Sequence, residues 1–529
     1  MYKIDEEGLV GIYEKDDPDL LLHFGSRFYR TRVPEGSRVL YPRPPIPDVG
    51  DLPAAVEYAL DHPYGTDPFN TLLRPGMKVT IAMDDLSLPE PKMKNPDVRE
   101  VVIEVLLKRL REHGIDDIHL VIAVCMHRHM HDWEVREMLG RRIFNAFWPN
   151  RTLYNYDCED PDDNIVLGYT EEGLIAEMHK RSATSDLLIY VNINMIALNG
   201  GHKSLGTGLS TYRTVRQHHE IHHNMNSCSF NDPPNSRLHA TIDKIGRYIN
   251  QHVNVFHVET TLNSETFPKY LGFLEKQEPD FSRWDKVNAA ANRTFLSLSP
   301  LSLNTKIFFA NKAPYKVTSI QAGATEAVHP ITLENVYRQQ NIKIEGQSDV
   351  YVIPIPYMMP YSIHSIMNPI LVYAMGLGYM FNFYRNKPVV KKGGTVIFLH
   401  PMEDKFDPVH HPSYIDLWEK MAENNDPVHI DQTYADQFAQ NERYIELYRF
   451  HNAFHGFHAI SMSNWGAHGR DWAGQVIAVN PMSREVPGRL GWDTAPTLMD
   501  AIAMARDRLG PAATVSICHS PPIAMWEVV

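Results

Sequence analysis

Short apolar runs that alternate with segments of helical spacing are the strongest constraint this chain places on its own fold. Lys78–Met83 (KVTIAM), His119–Val124 (HLVIAV) and Leu187–Asn192 (LLIYVN) are too short for helices and read as buried strands. Between them, 97–113 has helical apolar spacing, with Asn95 placed to cap it and Pro96 at its first position. Further helices are expected from about Asp132 and from Ser210. After about residue 340 a second series begins. It comprises a strand Val350–Ile355, an apolar helix-like segment at 363–379, a strand Gly394–Leu399, helices near 412–424 and 435–450, a strand at 457–462, a helix at 497–509 and a strand at 513–518. Strands alternating with helices imply βαβ units. The expected fold is therefore α/β in two domains, 1–342 and 343–529, each a mainly parallel sheet flanked by helices. The boundary falls in the polar run IEGQSD, and the active site in the interdomain cleft. Residues 1–75, with proline-rich connections at 42–53, read as an irregular extension of the first domain.

Composition narrows the function. The net charge of −13 disfavours a polyanionic partner, so no nucleic acid is expected. The four cysteines, Cys125, Cys158, Cys228 and Cys518, form no CxxC pair and signal neither a disulfide framework nor a thiolate zinc site. No basic-then-apolar leader and no membrane-spanning apolar stretch is visible, which predicts a soluble, cytoplasmic protein with no membrane partner. Nothing in the sequence specifies an oligomeric state. Histidine stands out: of 27, several cluster, at His127/His129/His131, His218/His219/His222/His223 and His410/His411.

Three unusual loops follow the three strands of the first series. They are Asp84-Asp85-Leu86-Ser87-Leu88-Pro89-Glu90-Pro91, Cys125-Met126-His127-Arg128-His129, and Asn199-Gly200-Gly201-His202-Lys203-Ser204-Leu205-Gly206-Thr207-Gly208. Ligands of open parallel sheets bind at the carboxyl ends of strands, so three such loops on one edge mark a candidate site. The four glycines of the third loop allow close backbone approach to a ligand and N–H groups directed at an anion. It is not a Walker loop, because His202 stands where glycine should precede the lysine. On the following helix Tyr212, Val215, His219 and His222 share one face, turned inward by the first two. The competing readings are His219 as a hydrogen-bonded core histidine and Lys203 as a solvated surface lysine, the latter disfavoured by a glycine-rich loop after a strand. His219-Glu220-Ile221-His222-His223 also satisfies H-E-x-x-H, in which two histidines bind zinc beside a glutamate base.

The stretch GGHKSLGTGLSTYRTVRQHH, Gly200 to His219, resembles the GG-x-K-S-x-x-P-G … T-I-x-x-N-H segment of the nickel-dependent lactate racemase superfamily, with the same Lys-to-His spacing. The first loop resembles that family's D-x-T-R-P-x-P motif and AVCMHRHM its A-T-G-x-H-R-P motif. The resemblance implies a nickel-pincer nucleotide, a pyridinium mononucleotide with two sulfur arms holding Ni(II). It implies Lys203 bonded to one arm, His219 as the metal ligand, and Asp85, Ser87, Gly200 and Gly201 near the cofactor. His127 becomes the general base on a substrate hydroxyl while hydride moves to the cofactor. Cofactor-maturation enzymes and a small-molecule substrate are the implied partners.

The departures fall on the substrate side. Leu88 replaces the family arginine that grips a carboxylate, and Ile193 stands ten residues before Lys203, where a second histidine is expected. The family's later Gln and Lys give way to Ile366-Met367-Asn368-Pro369-Ile370-Leu371, and Gly206-Thr207-Gly208 lacks its proline. The expected activity is that of an isomerase, a racemase or epimerase acting by proton-coupled hydride transfer on a 2-hydroxyacid or related secondary alcohol other than lactate. His202, His364 or Tyr361 would supply the second acid/base. The competing readings are a zinc metallohydrolase built on HEIHH and a non-catalytic homologue that binds the cofactor or a metabolite.

Overall fold

The computed structural model describes residues 1–88, 91–225 and 227–529. Pro89 and Glu90 of the first loop, and Asn226 of the helix end expected after His223, lie outside the described residues.

The three apolar runs become adjacent strands, Lys78–Met83, Asp117–Ile122 and Leu187–Asn194, in a six-stranded sheet. Its order runs Val317–Gly323, Val255–Leu262, Leu187–Asn194, Lys78–Met83, Asp117–Ile122, Leu153–Asn155. All neighbours are parallel except the first pair. Every residue of Leu187–Asn194 is buried, as a central strand covered on both faces requires. Helices Val98–Glu112 and Asp132–Phe147 belong to the crossovers on one side of this order. The cap of the first is Asp97, whose side chain accepts from Arg99 N, rather than Asn95.

A second sheet of eight strands is built on Ser348–Pro354, Val390–Leu399, Gln475–Val479, Asp493–Ala495 and Val515–Cys518. Tyr2–Lys3, Val10–Ile12 and Arg38–Leu40 extend it, the last pairing in parallel with Val515–Cys518. Residues 2–40 are thus neither irregular nor an extension of the first sheet, whereas the helix Leu52–Asp61 does pack against its Val317–Gly323 edge. The N-terminal strands are two to five residues long, and the pairing that orders them lies almost 480 residues away in the chain, beyond the reach of local periodicity. The largest cluster of buried apolar side chains runs through both sheets.

The second correction concerns 457–462. This run lies in the helix Gly456–Trp465, in which all ten residues are buried. A helix without a polar face loses the 3.6-residue signal and mimics a buried strand. The apolar segment at 363–379 likewise resolves into short pieces, with a helix at Pro369–Tyr373 capped by Asn368 and a π-helical stretch at Ala374–Met380. Among the described residues no helix is long and apolar enough to cross a membrane.

Candidate functional site

The carboxyl ends of Lys78–Met83, Asp117–Ile122 and Leu187–Asn194 open onto one cavity. All three loops singled out in the sequence contribute to it: Asp85, Ser87 and Leu88 from the first, His127 from the second, Gly200 and Lys203 from the third. His219 lines the same cavity. Gly201 is not among the residues that line it.

The first loop is fixed from beneath. Arg99 is buried, paired with Asp97 through Nε (2.9 Å) and Nη2 (2.8 Å), and its Nη1 donates to the carbonyl oxygens of Asp84 and Asp85. Asp85 accepts from Ser87 N at 2.9 Å and Ser87 Oγ at 3.0 Å. Its Oδ2 lies 2.9 Å from His127 Nδ1. Burial works to raise the Asp85 carboxyl, but His127 and Ser87 outweigh it, and the net shift is downward. A carboxylate can only accept, so His127 Nδ1 carries the hydrogen and Nε2 of the neutral ring is free to take a proton.

The second loop is gripped by the later half of the chain. Tyr448 Oη donates to the Cys125 carbonyl at 2.6 Å and His455 N to that of Met126 at 3.1 Å. Cys125 sits at φ 46°, part of the tight turn that brings His127 round.

In the third loop two glycines are sterically required. Gly200 has φ 85°, and a Cβ there would lie 2.0 Å from Asn194 Oδ1; at Gly201, with φ 57°, it would lie 2.5 Å from the His329 ring. The Gly201 N–H donates to Glu259 Oε1 at 2.6 Å, so this amide serves a buried carboxylate and not a ligand anion. Burial opposes ionisation of Glu259, but His329 holds its pKa down at about 2. The loop then enters a π-helical turn at Ser204–Gly208, a distortion frequent at functional sites. Lys203, at the start of that turn, has no hydrogen-bond or ion-pair partner among the described residues and lines the cavity. Burial lowers its pKa, against the opposing fields of Asp84 and Asp85. Asp84 is itself raised to about 6 by burial, despite bonds from Ile193 N (2.7 Å) and the Asn192 amide.

The next helix, Tyr212–His219, follows Thr211, whose side chain makes no capping bond; Ser210 donates to the Leu205 carbonyl. It ends at His219, because Glu220 turns extended. His219 is buried and stacks on Trp465 at 5.4 Å. Burial depresses its basicity strongly, and His218 and Lys203 add to the effect. His222 does not share its face: it lies in the separate short helix Ile221–Met225 and is exposed. The same break separates His219 from His223, which bonds Thr241 Oγ1 at 2.9 Å. The two histidines of H-E-x-x-H are therefore not on one helical face, and the zinc-site geometry fails. Among the described residues no group of three or more His, Cys, Asp or Glu is arranged to hold a metal ion.

Of the residues considered for a second acid/base, only Tyr361 reaches the cavity. His202 pairs with Glu326 at 2.8 Å, and His364 packs edge-on against Trp133. Ile193 is fully buried within its strand, while neighbouring Asn192 lines the cavity. Sequence reasoning missed His458. This imidazole lines the cavity, is bonded through Nδ1 to Tyr414 Oη at 2.6 Å, and leaves Nε2 without a partner. Its ring lies 5.4 Å from that of His127 and perpendicular to it. The available signal was the pair His455/His458 in HGFH, hidden by reading that run as a strand.

Fold and cavity define an α/β protein with a cavity at the carboxyl edge of a mainly parallel sheet. The lactate racemase N-terminal domain matches residues 24–229. The lactate racemase of Lactiplantibacillus plantarum is 27% identical over 169 residues, an alignment spanning 31% of this chain and 37% of that protein's length. The lactate racemase apoprotein from Thermoanaerobacterium thermosaccharolyticum superposes with a TM-score of 0.63 at 15% identity, over 96% of this chain and 99% of that one. Residues 24–229 are thus similar to the lactate racemase N-terminal domain, and the chain as a whole shares the fold of the lactate racemase apoprotein.

Proposed function

We propose that this protein is a nickel-pincer nucleotide-dependent racemase or epimerase acting on a secondary alcohol. The observation that carries the reading is the meeting of the unpartnered Lys203 amine and the His219 imidazole in one cavity, beside the Asp85–His127 pair. The donor set fits such a group. His219 offers one imidazole, and no group of three or more His, Cys, Asp or Glu among the described residues is arranged to hold a metal, so a metal here must bring most of its ligands with it. Lys203 offers a partly buried amine of lowered basicity, suited to covalent attachment. When bound, the group supplies reversible hydride acceptance, which no side chain provides.

The chain's own residues do the rest. Asp85 orients His127 so that Nε2 accepts the substrate hydroxyl proton. His458, whose ring centroid lies 5.4 Å from that of His127 and whose Nε2 has no partner, is the second group able to hand over or take up a proton in the same part of the cavity. Tyr361, Tyr379, Met462 and Trp465 exclude water around the reacting carbon. Lactate is not the favoured substrate. Leu88 lines the cavity where a carboxylate would need a cation, and nearby Arg128 is engaged by Glu134 at 2.6 and 2.8 Å.

The test is production together with cofactor-maturation enzymes, followed by intact-mass and nickel analysis. A covalent mass adduct lost in Lys203→Ala, with about one nickel per chain, is expected; a chain carrying neither adduct nor nickel overturns the reading.

A further inference from the structure

His218 has no role in the chemistry above, yet it is completely buried directly behind His219. Its Nε2 lies 3.0 Å from the Gly206 carbonyl oxygen, and its Nδ1 lies 2.7 Å from His219 Nδ1. A carbonyl oxygen only accepts, so His218 Nε2 carries a hydrogen. His218 has no carboxylate partner among the described residues, and a second ring proton would leave an unpaired charge in the interior. Its Nδ1 is therefore bare and accepts. The hydrogen between the two rings then belongs to His219 Nδ1. A neutral ring has one such hydrogen, which leaves His219 Nε2 as a lone pair, and this nitrogen has no protein partner among the described residues.

We infer that His218 is a positioning residue: it relays the Gly206 carbonyl to His219 and fixes His219 as the Nδ1–H tautomer, with Nε2 held as an electron-pair donor at the cavity wall. The opposite tautomer would present an N–H there and could not ligate a metal. Gly206 belongs to the same π-helical turn that follows Lys203, so one turn sets both the amine and the imidazole donor. What the donor binds rests on the nickel reading; the tautomer does not.

Selective 15N-histidine labelling of the full chain, made without cofactor, reads the tautomers directly, with His218→Gln and His219→Gln spectra giving the assignments. His219 is expected with hydrogen on Nδ1 and His218 with hydrogen on Nε2. A His219 carrying hydrogen on Nε2 overturns the proposal. In chains produced with the maturation enzymes, His218→Phe should retain nickel about 10- to 100-fold less tightly. His218→Asn, whose amide oxygen overlays Nδ1 and can accept from His219, should restore part of the retention, and the Lys203 adduct mass should persist in both. Undiminished nickel retention in His218→Phe also overturns it. If the unaltered chain yields neither adduct nor nickel, it is the cofactor reading that fails, and the spectra still decide the tautomer.

Discussion

At the scale of single residues, Lys203 combines partial burial, a lowered pKa and no protein partner, a combination that leaves more of its amine unprotonated at a given pH than on an exposed lysine. A small amine-directed reagent at pH 8 should therefore modify Lys203 ahead of the exposed lysines, read by peptide mass spectrometry. Asp84 raises the Lys203 pKa, so its removal should lower it further. Asp84→Asn is expected to shift the labelling profile to lower pH, and a shift to higher pH would contradict the assignment of that field. Both residues stood in loops singled out from sequence, as did His127, and His219 was singled out on the helix that follows the third loop. What the sequence withheld was the partner of each. Asp85–His127 spans 42 residues and His127–His458 spans two halves of the chain, and neither spacing has a local signature.

Among elements, the third loop is the most demanding. Gly200 and Gly201 both lie at positive φ, with side chains of Asn194, Glu259 and His329 filling the space a Cβ would take. Gly201→Ala must strain the backbone and displace His329 together, and is expected to destabilise the protein by more than about 1 kcal/mol. Cofactor loading should fall along with thermal stability; a variant with unchanged melting and unchanged adduct yield would show that the turn tolerates a side chain. The strands of this half were legible because their runs are short, apolar and bounded by polar loops. The helix Gly456–Trp465 was not, because complete burial removes the polar face on which helical periodicity depends, and its misreading concealed His458 and Trp465.

Across the whole molecule, distant segments are tied by buried polar groups. Glu278 accepts from Leu21 N, Tyr41 Oη and His519 Nε2, each at 2.8 Å, joining both ends of the chain to its middle. Burial raises the cost of its charge, but His519 and these donors outweigh it and hold its pKa below the usual glutamate value. A carboxyl depressed in the folded state contributes stability above its unfolded pKa and loses it as pH falls through the folded one. Glu278→Gln should therefore lower stability at neutral pH while flattening the loss of stability below about pH 4.5, seen in denaturant midpoints across pH. Removing residues 1–45 should uncover the edge of Val515–Cys518 and promote aggregation, measured by light scattering. A soluble truncated chain with unchanged unfolding would mean that Arg38–Leu40 contributes little to the sheet.

The amino-acid order alone determined the α/β class, and it singled out Lys203, His127, His219 and Gly200, which the fold brings to one cavity at the carboxyl edge of the sheet. Those signals are written in spacings of a few residues. The tertiary structure decided where the N-terminal strands pair, that the H-E-x-x-H run is broken at Glu220, and that His458 and Trp465 complete the cavity. These outcomes depend on contacts between segments hundreds of residues apart, whose free energies arise only once both sheets have packed into one core.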